Sequence, residues 1–158
     1  MASLIFRNVV EDVVDSMQEQ IASREQSLMV LVAPEVTAVY ADASRINQVI
    51  ANLLSNAHKY TPNGGSLQIQ VTQANGWAQV AIIDAGIGIS PENQAKLFTQ
   101  FFRAEDEEVR EQAGWGLGLS IVKKIVEAQG GEIWFKSSLG EGSTFAFTVP
   151  SAKMGSAE

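Results

Sequence analysis

The order of apolar and polar positions predicts three helices. Apolar residues recur at helical spacing from Asn8 to about Arg24 and from Ala43 to about Tyr60, so each segment is predicted to be an amphipathic helix with one buried face. Asp42 stands where it can cap the second of these helices. A third helix is predicted from Leu117 to Val126, ended by the glycine pair at 130–131.

Residues typical of β-strands predict the rest of the fold. Ser27 to Ala33 and Val36 to Tyr40 flank a Pro-Glu turn, so they are expected to pair with each other. A hairpin is predicted from Leu67 to Asp84, turning at its Asn-Gly dipeptide. Two final strands are expected at Glu132 to Ser137 and at Ser143 to Val149.

Helices and antiparallel strand pairs are interspersed instead of alternating one by one, which predicts an α+β two-layer sandwich with helices on one face of a sheet. The chain has 158 residues, 46% of them apolar, which suffices for one domain with one core. We expect that core at about 4–150, with frayed ends at 1–3 and 151–158.

Composition excludes several classes of function. Acidic residues outnumber basic ones by 18 to 11, so binding to nucleic acid is not expected. The absence of cysteine excludes thiol chemistry, and a single histidine excludes a His-rich zinc site. No apolar run approaches the roughly 18 residues that a membrane helix needs. The domain is therefore expected to be cytoplasmic and to make no direct membrane contact.

Three polar residues lie close together on the second predicted helix. Asn52, Asn56 and Lys59 stand at i, i+4 and i+7, within about 60° of one another and away from the apolar residues. Two carboxamides and an ammonium suit a phosphate with its Mg²⁺, since an amide oxygen can bind that cation and a lysine can pair with phosphate. The alternative is a solvated polar face. His58 lies beside this group and is interpreted as a partly exposed structural residue.

Asp84 closes a predicted strand and is followed by Gly86 and Gly88. A carboxylate at this place can accept a hydrogen bond from an exocyclic amine such as that of adenine, and glycine lets the backbone approach a ligand closely. The alternative is a turn aspartate followed by two turn glycines.

A glycine-rich loop from Gly114 to Ser120 leads directly into the third predicted helix. Its backbone amides, together with the positive end of the helix dipole, could hold phosphates without cationic side chains. The loop lacks the Gly-Lys-Ser or Gly-Lys-Thr of a phosphate loop, and it follows an acidic segment where a dinucleotide fingerprint would follow a strand. Before that acidic segment, Arg103 is a candidate to reach a terminal phosphate.

Five segments occur in an order that resembles the conserved boxes of sensor histidine kinases. They are 52–62 (the N box), 84–88 (the first glycine box), 98–103 (the phenylalanine box), 114–119 (the second glycine box) and 140–145 (the last glycine box). The resemblance runs from about Asp42 to Pro150. It implies the Bergerat fold shared with gyrase, MutL and the heat-shock chaperone ATPases, in which helices cover one face of a mixed sheet.

The resemblance also implies roles for the residues that would carry the reaction. Asn56 would coordinate Mg²⁺ with Asn52 in support, and Lys59 would meet phosphate. Tyr60 would pack near the nucleotide, and Arg103 would approach the γ-phosphate of ATP.

The glycine boxes would bind the rest of the nucleotide. Asp84 would accept the adenine amine, and Gly86 and Gly88 would line the base. The remaining expected contacts lie in the second glycine box, under a lid at about 103–115: Gly114, Gly116, Leu117, Gly118 and Leu119. Two positions depart from the usual pattern, because Ala85 stands where Asn is common and Trp115 where a small residue or Thr is common.

The implied reaction is transfer of the γ-phosphoryl group of Mg-ATP to a histidine on a separate dimerisation and phosphoacceptor domain, with a response regulator downstream. In gyrase-like relatives a Glu activates water one turn before the metal-binding Asn. Here Asn52 takes that place, and a carboxamide cannot accept a proton at neutral pH, so direct ATP hydrolysis is expected to be feeble.

Two other interpretations stay open. An anti-sigma-factor-type serine kinase would also lack a phosphoacceptor module, although it would usually carry Glu at position 52. A degenerate, noncatalytic nucleotide-binding or partner-binding module would agree with Ala85, Trp115 and the acidic lid segment.

Overall fold

The computed structural model describes residues 2–36, 38–86 and 119–151. Within these ranges helices separate pairs of consecutive strands along the chain. They are β1 (Ala2–Ile5), α1 (Phe6–Ser23), β2 (Ser27–Val32), β3 (Ala38–Ala41), α2 (Ala43–Tyr60), β4 (Ser66–Ala74), β5 (Trp77–Asp84), α3 (Leu119–Ala128), β6 (Ile133–Ser138) and β7 (Gly142–Pro150).

Five of the described strands form one mixed sheet in the order β2-β4-β5-β7-β6. β2 and β4 run parallel, and the other neighbours run antiparallel. Burial alternates along β4 and β5, so one face of the sheet carries the apolar core. The helices α1, α2 and α3 pack on that face. The expected α+β sandwich, a mixed sheet covered on one face by helices, is confirmed.

Each of the first two helices contributes one apolar face to this core. The buried residues recur at intervals of three and four, as helical periodicity requires. They are Phe6, Val10, Val13, Val14, Met17 and Ile21 in α1, and Ile46, Val49, Ile50, Leu53, Leu54 and Ala57 among the apolar residues of α2. Burial of each large side chain contributes about 1.5 to 3 kcal/mol, so this pattern fixes the rotation of both helices. No helix in the described ranges is long and apolar enough to cross a bilayer.

The predicted pairing of the second and third strands is wrong. The Pro-Glu turn is present, because the Val36 amide donates to Ala33 O at 3.0 Å, but it carries the chain out of the main sheet. β2 pairs in parallel with β4, and β3 pairs antiparallel with β1 in a separate two-stranded sheet. The physical reason is that the half-buried apolar side of β2 lies beside the buried apolar side of β4 along a ladder of six residue pairs. This partner becomes adjacent only after α2 has crossed between the two strands.

The N-terminal end also differs from the expectation of a frayed tail at 1–3. Ala2 and Ser3 belong to β1, opposite Ala41 and Tyr40, and α1 begins at Phe6 directly after this strand. At the other end, Ser151 is buried and bridges to Val39. These segments are ordered by partners far away in sequence, which local composition does not reveal. The third helix and the last two strands lie close to their predicted positions.

Candidate functional site

Helix α2 positions four of the predicted site residues. Asn56, Lys59 and Tyr60 are half-buried, whereas Asn52 is only 3% exposed. The expectation that all three polar residues share a face away from the buried side therefore fails for Asn52. Helix α1 packs against α2 and covers that flank, where Asn52 lines a cleft of about 310 Å³ together with residues of both helices. A simple solvated face does not describe this residue.

The buried amide of Asn52 is chemically unusual. Neither its oxygen nor its nitrogen has a hydrogen-bond partner among residues 2–36, 38–86 and 119–151. Leaving a buried polar group unpaired costs about 1 to 3 kcal/mol, so such groups generally mark a place where a ligand, an ion or water completes the site. Asn52 lies one helical turn from Asn56, so both carboxamides are available on neighbouring turns of α2.

Asp84 provides the acidic group of the site. It ends β5 and is 5% exposed, and its Oδ1 accepts a hydrogen bond from the Gly86 amide at 2.9 Å. Burial raises the pKa of Asp84 to about 6, although hydrogen bonds from the backbone amides of Gly86 and Ser143 act in the opposite direction. The bond to Gly86 is the one expected of a turn aspartate. A carboxylate has further acceptor positions, so it can also receive a donor from a ligand.

Gly86 brings the first glycine box onto the end of α2. A Cβ atom at this position would lie 2.5 Å from Tyr60 O and 2.8 Å from Asp84 Oδ1, so no larger residue fits without displacing the backbone. Gly142 also packs closely on this segment, since a Cβ there would collide with the carbonyl of Asp84. The carboxylate and the last turn of α2 are therefore adjacent, although they are distant in sequence.

The remaining predicted residues belong to the second half of the expected site. Leu119 begins α3 and is buried in the apolar core, with 8% of its surface exposed. The following predicted residues lie outside the described residues: Gly88, Arg103, Gly114, Gly116, Leu117 and Gly118.

Sequence reasoning missed two residues that contact the last turn of α2. Arg24 and Gln26 follow α1, and both donate side-chain hydrogen bonds to carbonyl groups near the end of α2. His58 is half-buried and contacts Gln26, which agrees with its interpretation as a structural residue. Burial, Arg24 and Lys59 lower the pKa of His58, and burial lowers the pKa of Lys59. No local sequence pattern predicts these contacts, because the partners are 32 to 35 residues apart.

Comparison with known proteins decides the family. Residues 41–153 match the family described as histidine kinase-, DNA gyrase B- and HSP90-like ATPase. The chain belongs to this family. The sequence resemblance to the ATP-binding domain of sensor histidine kinases is thereby confirmed, and the ATP-binding nature of the domain follows from the family.

Individual relatives are sensory kinases. The chain is 37% identical over 148 residues to the adaptive-response sensory kinase SasA of Synechococcus elongatus, covering 93% of this chain but 38% of that relative. The chain thus spans little more than a third of this relative's length.

Solved structures of histidine kinases are also similar. The catalytic domain of histidine kinase ThkA has a TM-score of 0.83 at 29% identity, covering 95% of both chains. ThkA in complex with the response regulator TrrA matches with a TM-score of 0.80 at 28% identity, over 96% of this chain and 42% of that one. Full-length ShkA in complex with AMPPNP matches with a TM-score of 0.80 at 25% identity, over 96% of this chain and 31% of that one.

Proposed function

We propose that this chain binds Mg-ATP as a single domain and transfers the γ-phosphoryl group to a histidine on a separate dimerisation and phosphoacceptor domain. The observation that carries this proposal is the packing of Gly86 against the carbonyl of Tyr60. It brings a buried acid suited to adenine next to the helix that bears the carboxamides and Lys59. The likeness to ShkA, which was solved with AMPPNP, supports a nucleotide at this place.

Recognition of the base is assigned to Asp84. Its carboxylate is buried and already oriented by the Gly86 amide, so its free acceptor positions can receive the adenine amine. Desolvation strengthens such a bond, because water no longer competes for the acceptor. Gly86 and Gly88 are proposed to line the base.

The phosphates and their cation are assigned to α2 and the second glycine box. Asn56 is proposed as the protein ligand of Mg²⁺, because a neutral amide oxygen suits this hard cation. The amide of Asn52, which has no hydrogen-bond partner in the part of the chain that the structure describes, is proposed to support it. When bound, Mg²⁺ would offset negative charge on the phosphates. In the described part of the chain no group of three or more His, Asp or Glu side chains could hold a metal ion, so the phosphates themselves would supply the negative charge.

Lys59 is proposed to pair with a phosphate from the last turn of α2. Arg103 is proposed to approach the γ-phosphate. The backbone of the second glycine box would complete the phosphate site through Gly114, Gly116, Leu117, Gly118 and Leu119.

Phosphoryl transfer proceeds through a loose transition state, so the protein mainly positions groups and offsets charge. An imidazole nitrogen of the acceptor domain attacks the γ-phosphorus, the bond to the bridging oxygen breaks, and ADP leaves. His58 is not suited to be this acceptor, because it is half-buried and its Nδ1 already contacts Gln26. Asn52 offers no base for water, so hydrolysis without an acceptor is expected to be slow.

The proposed partners follow from the relatives. ThkA was solved in complex with a response regulator, so we propose that a response regulator receives the phosphoryl group downstream of this chain. Such a phosphorelay consumes ATP, so we propose that the domain lies in the cytoplasm. The acidic balance of the chain agrees with the absence of a nucleic-acid partner from this proposal.

Calorimetry with ATP, in the presence and absence of Mg²⁺, tests the binding half of this proposal. We expect Mg²⁺-dependent binding, and no binding at all would overturn the proposal.

The transfer half is tested by adding a histidine-bearing dimerisation domain and following labelled phosphate from the γ-position. An acid-labile product agrees with phosphohistidine, whereas an acid-stable one indicates a serine kinase. Binding without any transfer would favour the noncatalytic module.

A further inference from the structure

The C-terminal end of α2 is held by side chains that come from the loop after α1. Arg24 Nη1 donates to His58 O at 2.8 Å and to Lys59 O at 3.4 Å. Gln26 Nε2 donates to His58 O at 3.0 Å and to Thr61 O at 2.8 Å. Carbonyl groups in the last turn of a helix lack partners within that helix, so these donors replace partners that water would otherwise supply.

Both the nitrogen and the oxygen of the Gln26 side-chain amide contact residues at this end of the helix. Its nitrogen faces two carbonyl oxygens, so its oxygen must be the atom that lies 2.6 Å from His58 Nδ1. Because that oxygen can only accept, Nδ1 of His58 carries the proton, and this contact fixes the tautomer of the ring. Gln26 is 7% exposed, so its side of these hydrogen bonds is shielded from water, and the bond to Thr61 O is fully buried.

Arg24 adds charge and a second attachment to the same turn. Its cationic guanidinium lies at the C-terminal end of a helix dipole, where positive charge is favourable. Its Nε also donates to Asn63 Oδ1 at 3.1 Å, and its carbonyl accepts from the Gly64 amide at 2.9 Å. The segment that leaves α2 is therefore tied back to the same loop.

We propose that Gln26, together with Arg24, is a positioning residue for nucleotide binding, acting through the last turn of α2. This inference rests on the proposed binding of Mg-ATP, because Lys59 and Tyr60 occupy that turn. Gly86 packs on Tyr60 O, the carbonyl that lies between those contacted by Arg24 and Gln26. The turn is thus held between the loop after α1 and the backbone that follows Asp84. Loss of the hydrogen bonds from Arg24 and Gln26 changes the placement of Lys59 and Tyr60 relative to Asp84.

The chain offers a closely matched control at the opposite end of the same helix. Gln129 is also a buried glutamine, 9% exposed, and its Oε1 accepts from the Asp42 amide at 2.9 Å where α2 begins. Gln26→Leu and Gln129→Leu therefore remove the same polar group from two buried positions, although Gln26 bonds through both amide atoms and Gln129 through its oxygen. They differ in the end of α2 that loses its support.

The affinity for Mg-ATP is measured by calorimetry for the wild-type chain and both variants, with thermal midpoints measured in parallel. We expect both variants to have lower midpoints, and only Gln26→Leu to bind at least about tenfold more weakly, which is a common loss when a supporting residue behind a ligand contact is removed. Equal affinity in Gln26→Leu and the wild type, or equal weakening in Gln129→Leu, would overturn the inference. Absence of binding by the wild-type chain would overturn the proposed function as well, so the two failures can be told apart.

Two further measurements keep the test valid if Gln26→Leu folds poorly. Arg24→Met keeps an unbranched side chain but loses the donors to His58 O and Lys59 O, so we expect a weakening of several-fold; unchanged affinity would contradict the inference. The single histidine also gives one set of imidazole resonances in an NMR spectrum. Titration with Mg-ATP should shift these resonances in the wild type. Unchanged His58 resonances would show that nucleotide binding does not affect this turn.

Discussion

The two ends of α2 are stabilised in different ways. At the N-terminal end, Asp42 caps the helix locally, with its Oδ1 accepting from the Arg45 amide at 3.1 Å. At the C-terminal end, the carbonyl groups are held by Arg24 and Gln26, which lie 32 to 35 residues away, and by the close approach of Gly86. The capping bond at the first end comes from neighbouring residues, and one distant side chain, Gln129, adds a bond to the Asp42 amide there. At the second end, the side-chain bonds to the helix carbonyls come from Arg24 and Gln26 and exist only in the folded chain.

Because of this difference, changes at the two ends of α2 should affect stability and nucleotide affinity differently. A local cap starts a helix whatever that helix later binds, so its loss should affect stability alone. The C-terminal end instead joins three segments at the place where the proposed nucleotide contacts lie. Changes there should affect stability and affinity together. The following predictions test this contrast, from the largest expected effect to the smallest.

The largest effect is expected for Gly86→Ala. The added methyl group would lie 2.5 Å from Tyr60 O, so the loop after β5 must move away from the end of α2. We expect a loss of about 1 to 3 kcal/mol in the free energy of unfolding, as for other overpacked sites, and no measurable binding of ATP. Chemical denaturation and calorimetry give the two quantities.

Gly130→Ala provides the control for that variant. It has φ of +87°, so alanine is strained there, but among the described residues its added Cβ would meet only Trp77, at 4.0 Å. We expect Gly130→Ala to lose stability and keep its affinity for ATP. If Gly86→Ala binds ATP as tightly as Gly130→Ala does, the close approach at Tyr60 has no bearing on the site.

The next largest effect is expected for Asp84→Asn. Exchange of a charged acceptor for a neutral amide should weaken ATP binding by about 1.5 to 3 kcal/mol, because hydrogen bonds to charged groups contribute about that much. Calorimetry at pH 7.5 measures the loss. An affinity equal to that of the wild type would exclude Asp84 from recognition of the base.

The same variant should change how stability depends on pH. The folded-state pKa of Asp84 is raised from 3.8 to about 6, so its contribution to stability is present below about pH 4 and is lost as the pH rises through 6. The apo wild type should therefore lose up to about 3 kcal/mol relative to Asp84→Asn between pH 4 and pH 7. Parallel pH profiles for the two proteins would show that the pKa of Asp84 is not raised.

At the other end of α2 a smaller effect is expected. Asp42→Ala removes the cap at the Arg45 amide and should cost about 1 kcal/mol of stability, while leaving the affinity for ATP unchanged. Thermal unfolding and calorimetry measure both. Asp42→Ser, which can still accept this bond, should restore most of the lost stability. A loss of affinity in Asp42→Ala would remove the distinction between the two ends.

The fold was predictable from sequence where interactions are local. The three helices, the hairpin from Leu67 to Asp84 and the cap at Asp42 follow from periodicity and turn residues, and all are present. The pairing of β2 was predicted wrongly, because strand propensity does not identify a partner that lies beyond a helix. β1 was missed for the same reason, since its ladder partner β3 lies more than 30 residues away along the chain.

The candidate site also contains residues that local sequence predicts and residues that depend on tertiary packing. The placement of the candidate residues on α2 and of Asp84 at the end of β5 could be predicted, because helical spacing and strand pattern are local features of the sequence. Their roles in binding stay predictions. The burial of Asn52 could not, since it depends on how α1 packs. Arg24 and Gln26 could not either, because a polar side chain after a helix has many possible partners and only the folded chain selects one.

The smallest effect concerns His58, inside the network at the C-terminal end of α2. Burial, followed by the charges of Arg24 and Lys59, lowers the pKa of His58 from 6.5. The folded chain therefore holds this proton less tightly than the unfolded chain does, so the free energy of unfolding decreases as the pH falls below about 6.5. His58→Gln can still donate to Gln26 Oε1 but does not titrate, so it should lack this decrease. An NMR titration of the imidazole gives the pKa directly. A value at or above 6.5 would mean that Arg24 and burial do not act on the ring as the geometry requires.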